Sequence, residues 1–237
     1  MSLADRIKRY EKTFSFSTLN RMPVMIRVDG RAFHTFTKGL NKPFDHRLID
    51  AMVLSARDVV RDMQGFKVAY VQSDEATFCL TDYDNLETQG WFDYDLSKMV
   101  SISAALMSVA FMRRFYANSW LHICDFEGFP VFDSRAFSVP HDDVVNAFLW
   151  RAKDWERNSL QMYARSFFFH RDLMNKGREE MHEMLHSIGK NWATDLTDQE
   201  RNGTFLILGD EGIGIRTDIL PTYQAINEAI GHLFKKE

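Results

Sequence analysis

Two apolar runs in the first third of the chain each end on acidic residues, with a segment of helical period between them. The first is 23–28 and leads into Asp29-Gly30. The second is 66–71, followed by Gln72-Ser73-Asp74-Glu75 and then a third short run at 77–80. The first and second runs read as strands joined by a helical crossover. The second and third read as a hairpin with the acids in or beside its turn. A right-handed crossover makes the first two strands parallel, and the hairpin lets the third strand lie between them. Asp29 and Asp74 then become neighbours at one end of a sheet.

The crossover helix is expected from His46 to about Met63, capped by Asp45 and stopped at Gly65. The segment 33–41 before it reads as irregular. A second long helix is expected from Asp93 or Asp95 to about Tyr116, and a fourth strand at 129–139. The order β-α-β-β-α-β is the split, ferredoxin-type arrangement of an α+β fold, with a mostly antiparallel sheet packed by helices. Further elements are expected as a helix at 2–10, a long helix from Asp142-Asp143 to about Phe169, a helix at 176–188, a hairpin around Gly209-Asp210-Glu211-Gly212, and a last helix at 222–235. The sequence shows no linker, so the expectation is one catalytic domain over 1–237, with a core at about 20–140 and a helical and C-terminal extension at about 141–237.

Composition narrows the class. Of 237 residues, 45% are hydrophobic, which supports a full core. A net charge of -4 argues against nonspecific coating of nucleic acid but leaves room for local basic patches. Cys79 and Cys124 are isolated thiols, with neither a zinc pattern nor a disulfide framework. No apolar run reads as approaching the ~20 residues of a membrane span, so a soluble, cytoplasmic protein is expected.

Either acidic site alone is an ordinary turn. Together they repel unless a cation lies between them. Mg²⁺ suits a few carboxylates plus phosphate oxygens and waters, and clustered His or Cys are absent nearby. Paired carboxylates at a sheet end are how polymerase-type sites hold two magnesium ions against a triphosphate. The loop Gly30-Arg31-Ala32-Phe33-His34 offers backbone N–H groups to phosphate, and Arg31, Lys38, Lys42 and Lys98 offer cations. Among 20 phenylalanines, Phe33 is more readily core than a stacking ring, and the run Phe167-Phe168-Phe169 reads as core. The helix from Asp143 mixes Arg151, Lys153, Arg157 and Arg165 with Trp150 and Trp155, a pattern that can follow a nucleic-acid backbone.

The stretches Arg27-Val28-Asp29-Gly30-Arg31-Ala32-Phe33-His34, Lys42-Pro43-Phe44-Asp45, Gln72-Ser73-Asp74-Glu75 and Ser97-Lys98 resemble, in order and spacing, the tRNA-histidine guanylyltransferase family. The resemblance runs over about 2–165. It implies a palm-like catalytic domain and addition of nucleotides to RNA in the 3′–5′ direction. It implies Asp29, Asp74 and Glu75 as catalytic acids, with Asp29, Asp74 and the Gly30 carbonyl holding two Mg²⁺ ions. Nucleotide binding would fall to Arg31, Ala32, Phe33, His34, Lys42, Asp45, Ser73 and Lys98, and contact with tRNA or triphosphate to Arg135, Arg157 and Asn158. ATP and GTP would serve as substrates, the tRNA 5′ end as partner, and a homotetramer, a dimer of dimers, as the assembly. Members acting on histidine tRNA carry His-Ile-Asn-Asn-Leu-Tyr where this chain has Glu156-Arg157-Asn158-Ser159-Leu160-Gln161. That departure is similar to the Thg1-like branch, whose members repair 5′-truncated tRNAs on a template. Addition of G to histidine tRNA, a nucleotidyl cyclase and a non-catalytic RNA-binding protein are the alternatives.

Overall fold

A computed structural model describes residues 1–117 and 128–234; Cys124 and the expected helix end at Lys235 lie outside the described residues. Strand β1 (Val24–Gly30) alternates. Val24, Ile26 and Val28 enter one core, and Met25 enters another on the opposite face. Helix α1 (Leu3–Glu11) precedes it. After β1 the chain does not run on irregularly as expected. Ala32 takes a left-handed backbone (φ 56°), and α2 (Phe33–Phe36) with the turn Thr37–Gly39 follows. These elements are too short for a periodic signal. They are fixed instead by Phe33 and Phe36, whose rings meet Phe111, Phe115 and Phe132 at 5.0–5.7 Å between centroids.

Helix α3 (His46–Val59) starts where Asp45 accepts the Arg47 N–H. Its exit needs Gly65, at φ +79°, because a Cβ there would lie 2.1 Å from the Thr81 carbonyl oxygen. β2 (Phe66–Gln72) and β3 (Glu75–Leu80) form the expected hairpin, with only Ser73-Asp74 between them. Helix α4 (Leu96–Tyr116) begins at Asp95, which accepts the Lys98 N–H, and β4 (Phe132–Ser138) pairs with β1. By length and composition α4 is apolar enough to cross a membrane, contrary to the sequence reading. Met99, Met107, Phe111 and Phe115 nevertheless pack it onto the sheet core.

α5 (Val144–Arg165) ends four residues before the expected Phe169. α6 (His170–Leu173), α7 (Arg178–Ser187), α8 (Trp192–Asp195) and α9 (Asp198–Asn202) follow. The hairpin of β5 (Thr204–Gly209) and β6 (Gly212–Arg216) and helix α10 (Tyr223–Ile230) complete the chain. Of the phenylalanine run at 167–169, only Phe168 is core: it is half-buried against a cluster of Leu160, Tyr163, Ala164, Met181, Leu185 and Trp192. Phe167 and Phe169 are exposed, lying beside Lys190 and Arg171.

Among the described residues the six strands form one sheet in the order β4-β1-β3-β2-β5-β6, every pairing antiparallel. β3 lies between β1 and β2, as the topology requires. The C-terminal hairpin joins the sheet through β5 on β2, which its sequence did not reveal. α3 and α4 cover one face; α5 and α10 cover the other through Val144, Phe148, Ile226 and Ile230.

Candidate active site

The register places Asp29 of β1 opposite Glu75 of β3 and Asp133 of β4. The Gly30 N–H donates to the Asp74 carbonyl at 2.9 Å, which ties the end of β1 to the hairpin turn. Gly30 is required by close approach: a Cβ would stand 2.4 Å from the Phe33 ring. Phe33 therefore sits beneath the loop as part of the aromatic cluster, not out in solvent, although one edge lines a cavity.

The two aspartates are held against their own charge. Burial raises the pKa of Asp29, and Asp133 adds to this, opposed by Arg135, Arg27 and Arg151. Burial also raises Asp74, with Asp29 and Glu75 adding and the Ser73 hydroxyl opposing. Glu75 differs. Arg151 of α5 donates to both of its carboxylate oxygens at 2.6 Å, and both side chains are buried. Glu75 is thus an anchor for α5 in this geometry, and its oxygens do not face the cleft free.

Two cavities meet at these acids. One, of about 240 Å³, is lined by His34, Lys42, Phe44, Asp45, Ser73 and Asp74 among others. The second, of about 300 Å³, contains Asp29, Asp74, Glu75 and a stripe of α5: Arg151, Asp154, Trp155, Asn158, Gln161 and Arg165. Ser73, Asp74, Trp155 and Met162 line both, so Asp74 stands at the junction of one cleft, with Asp29 in the second cavity beside it. Asp45 enters as a structural group. Its carboxylate accepts from the Asn41 and Arg47 backbones and from the Arg47 guanidinium. Arg31 and Ala32 are exposed on the loop, and Lys98 is exposed in the first turn of α4, outside the lining of either cavity. Arg135 lies opposite Arg27 on β4, beside Asp133 at 3.4 Å. Asn158 reaches the acid cleft, whereas Arg157 points to a different cavity beyond α5.

The part played by α5 was the least legible from sequence. The stripe from Arg151 to Arg165 repeats at helical spacing but mixes charges, amides and an indole, so no apolar period marks it. Among the described residues no group of three or more His, Cys, Asp or Glu side chains is arranged to hold a metal. With Glu75 taken by Arg151, the side-chain donors left at the cleft are the two hard carboxylates of Asp29 and Asp74. That set fits Mg²⁺, which keeps waters and shares phosphate oxygens, better than a softer ion.

The family model described as tRNAHis guanylyltransferase matches residues 4–140. An uncharacterised protein of Acanthamoeba polyphaga mimivirus is 28% identical over 203 residues, 77% of this chain and 69% of that one. The tRNA(His) guanylyltransferase of Schizosaccharomyces pombe is 30% identical over 159 residues, 64% of this chain and 58% of that one. A mouse protein described as a probable tRNA(His) guanylyltransferase is 30% identical, the match spanning 45% of its length. The chain thus matches about half to two thirds of these relatives. Among solved structures, a bacterial tRNA(His) guanylyltransferase (Thg1)-like protein in complex with ATP superposes with TM-score 0.91 and 32% identity, covering 99% of this chain and 100% of that one. A structure of such a protein in complex with GTP gives 0.83 and 30%, with the same coverage. The enzyme of Saccharomyces cerevisiae, at 20% identity and TM-score 0.72, shares the fold.

Proposed function

The chain belongs to the tRNA-histidine guanylyltransferase family, and from that premise we propose that it is a 3′–5′ nucleotidyltransferase that extends the 5′ end of truncated tRNA on a template. The observation that carries the reading is the meeting of Asp29 and Asp74, tied by the Gly30–Asp74 backbone hydrogen bond, where two cavities join. One cavity takes the incoming nucleotide, the other the RNA end. The solved relatives named with ATP and with GTP support nucleoside triphosphates as substrates.

In this reading the RNA 5′ end carries a triphosphate or is first activated by a nucleotidyl group. The 3′-hydroxyl of the incoming nucleotide attacks the 5′ α-phosphate. A new O–P bond forms, the bond to the pyrophosphate or nucleotide leaving group breaks, and the hydroxyl proton departs to solvent. Asp29 and Asp74, with the Gly30 carbonyl, would hold Mg²⁺. When bound, that cation lowers the hydroxyl's pKa and stabilises charge on the phosphate. Lys42 and the loop at 30–34 neutralise and orient the triphosphate, and Phe33 fixes that loop from below. Glu75 and Arg151 hold α5 against the hairpin so that the two cavities keep their shared wall. Association as a homotetramer belongs to the same proposal, and the exposed Ile102 and Val109 on α4 are apolar surface that such an assembly covers.

The departure at Glu156–Gln161 favours templated repair over fixed addition of G to histidine tRNA. The test is to incubate the protein with Mg²⁺, four nucleoside triphosphates and a tRNA lacking its first nucleotide, then sequence the 5′ ends. Restoration of the base complementary to the opposing strand is expected. Addition of G whatever the opposing base contradicts the templated reading, and no extension of either a 5′-monophosphate or a 5′-triphosphate contradicts the polymerase reading.

A further inference from the structure

A third cavity, of about 390 Å³, lies between α5 and α7 and is larger than either cavity at the acids. Its floor is carbon: Leu160 and Met181 are buried, and Trp192 is locked from behind by its indole N–H donating to Ser159 at 3.0 Å. Its rim carries Lys153, Arg157, Lys176 and Arg178. Three of these pair with carboxylates, Arg157 with Asp154, Lys176 with Glu180 and Arg178 with Glu156. The four cations are partly or well exposed, so each pair contributes little and a phosphate competes for them readily. Lys153 has no ion pair among the described residues. An apolar floor under a rim of displaceable cations matches a nucleobase with its phosphate.

Position argues for which nucleotide. Gln161 lines both this cavity and the acid cleft, so a strand leaving the acids passes over α5 into it. Of the four positions in the Glu156–Gln161 stretch where this chain differs from enzymes of histidine tRNA, three line the cavity: Glu156, Arg157 and Gln161. The proposed reaction gives the first two cavities their ligands and leaves this one without any.

We propose that the α5–α7 cavity is a second nucleotide site, which takes a nucleotide of the RNA strand close to its reacting 5′ end, base on the floor and phosphate on the rim. This rests on the polymerase reading and names its RNA subsite. The chemistry is that of any nucleoside phosphate, so RNA and free nucleotide are the two arms of the test. Full-length Lys153→Glu and Lys176→Gln are compared with wild type for binding a 5′-phosphorylated tRNA acceptor-stem hairpin and, separately, ATP. Melting temperatures within about 2 °C of wild type establish that the variants fold. The double variant is expected to bind the hairpin about tenfold more weakly, with a shallower salt dependence, and ATP within about twofold of wild type. Hairpin affinity unchanged in the folded double variant overturns the assignment. So does a loss confined to ATP, which would make this a free-nucleotide site. Extension of the same hairpin by wild type is read separately: binding without extension sinks the polymerase reading, not the evidence for the cavity.

Discussion

At the residue scale the site is a contrast between two kinds of acid. Asp29 and Asp74 keep carboxylates open to the cleft with pKa values raised by burial, whereas Glu75 is spent on Arg151. The family resemblance implied the three as one catalytic set. What separates them is a partner 76 positions away on another helix, a contact that no local pattern encodes. A buried pair of this kind is costly to break from one side and cheap to replace from both. Arg151→Met is therefore expected to lose about 3–5 kcal/mol in urea unfolding, and adding Glu75→Leu to recover most of it. A loss under about 1 kcal/mol for the single change contradicts the anchor role. Gly30→Ala tests the floor of the loop: its Cβ must displace the Phe33 ring, at an expected cost of about 1–3 kcal/mol by thermal or chemical unfolding.

At the scale of elements, the sheet order was legible because crossover handedness and hairpin closure leave one arrangement of β1, β2 and β3. The capped helices α3 and α4 were legible for the same local reasons. The short α2 and the placement of β5 on β2 were not, since one depends on a five-ring cluster and the other on pairing between distant segments. The two helices behind the sheet are clamped by Asp58 of α3, which accepts from Arg114 at 2.7 Å and from Arg113 at 2.8 Å. The Arg114 guanidinium, with Arg113, holds the Asp58 carboxyl below its ordinary value. A lowered folded-state pKa stabilises above the unfolded value of about 3.9 and is lost as pH falls through the folded one. Asp58→Asn should thus lower the melting temperature by roughly 2–4 °C at pH 7 and by progressively less below about pH 4. A difference that stays constant down to about pH 2 contradicts this.

At the scale of the molecule, one sheet between two helical layers presents its acids where the covering layer gives way to a cleft. The first face is closed by α3 and α4; on the second, α5 starts as core through Val144 and Phe148, and its later half walls the cleft through Asn158 and Arg165 while Leu160, Tyr163 and Ala164 stay in core on its other side. That second, polar face on one helix turns a packed α+β fold into an open site, and it was hidden in the sequence because its charges, amides and indole give no apolar period. The central claim is that Asp29 and Asp74 together carry nucleotidyl transfer at this cleft. It is tested by single-turnover 5′ extension of a triphosphorylated, truncated tRNA with Mg²⁺, comparing wild type with Asp29→Asn and Asp74→Asn at matched melting temperatures. The account predicts a fall of at least about 10³-fold for each variant, with ATP still bound. Extension within about tenfold of wild type in either folded variant contradicts it.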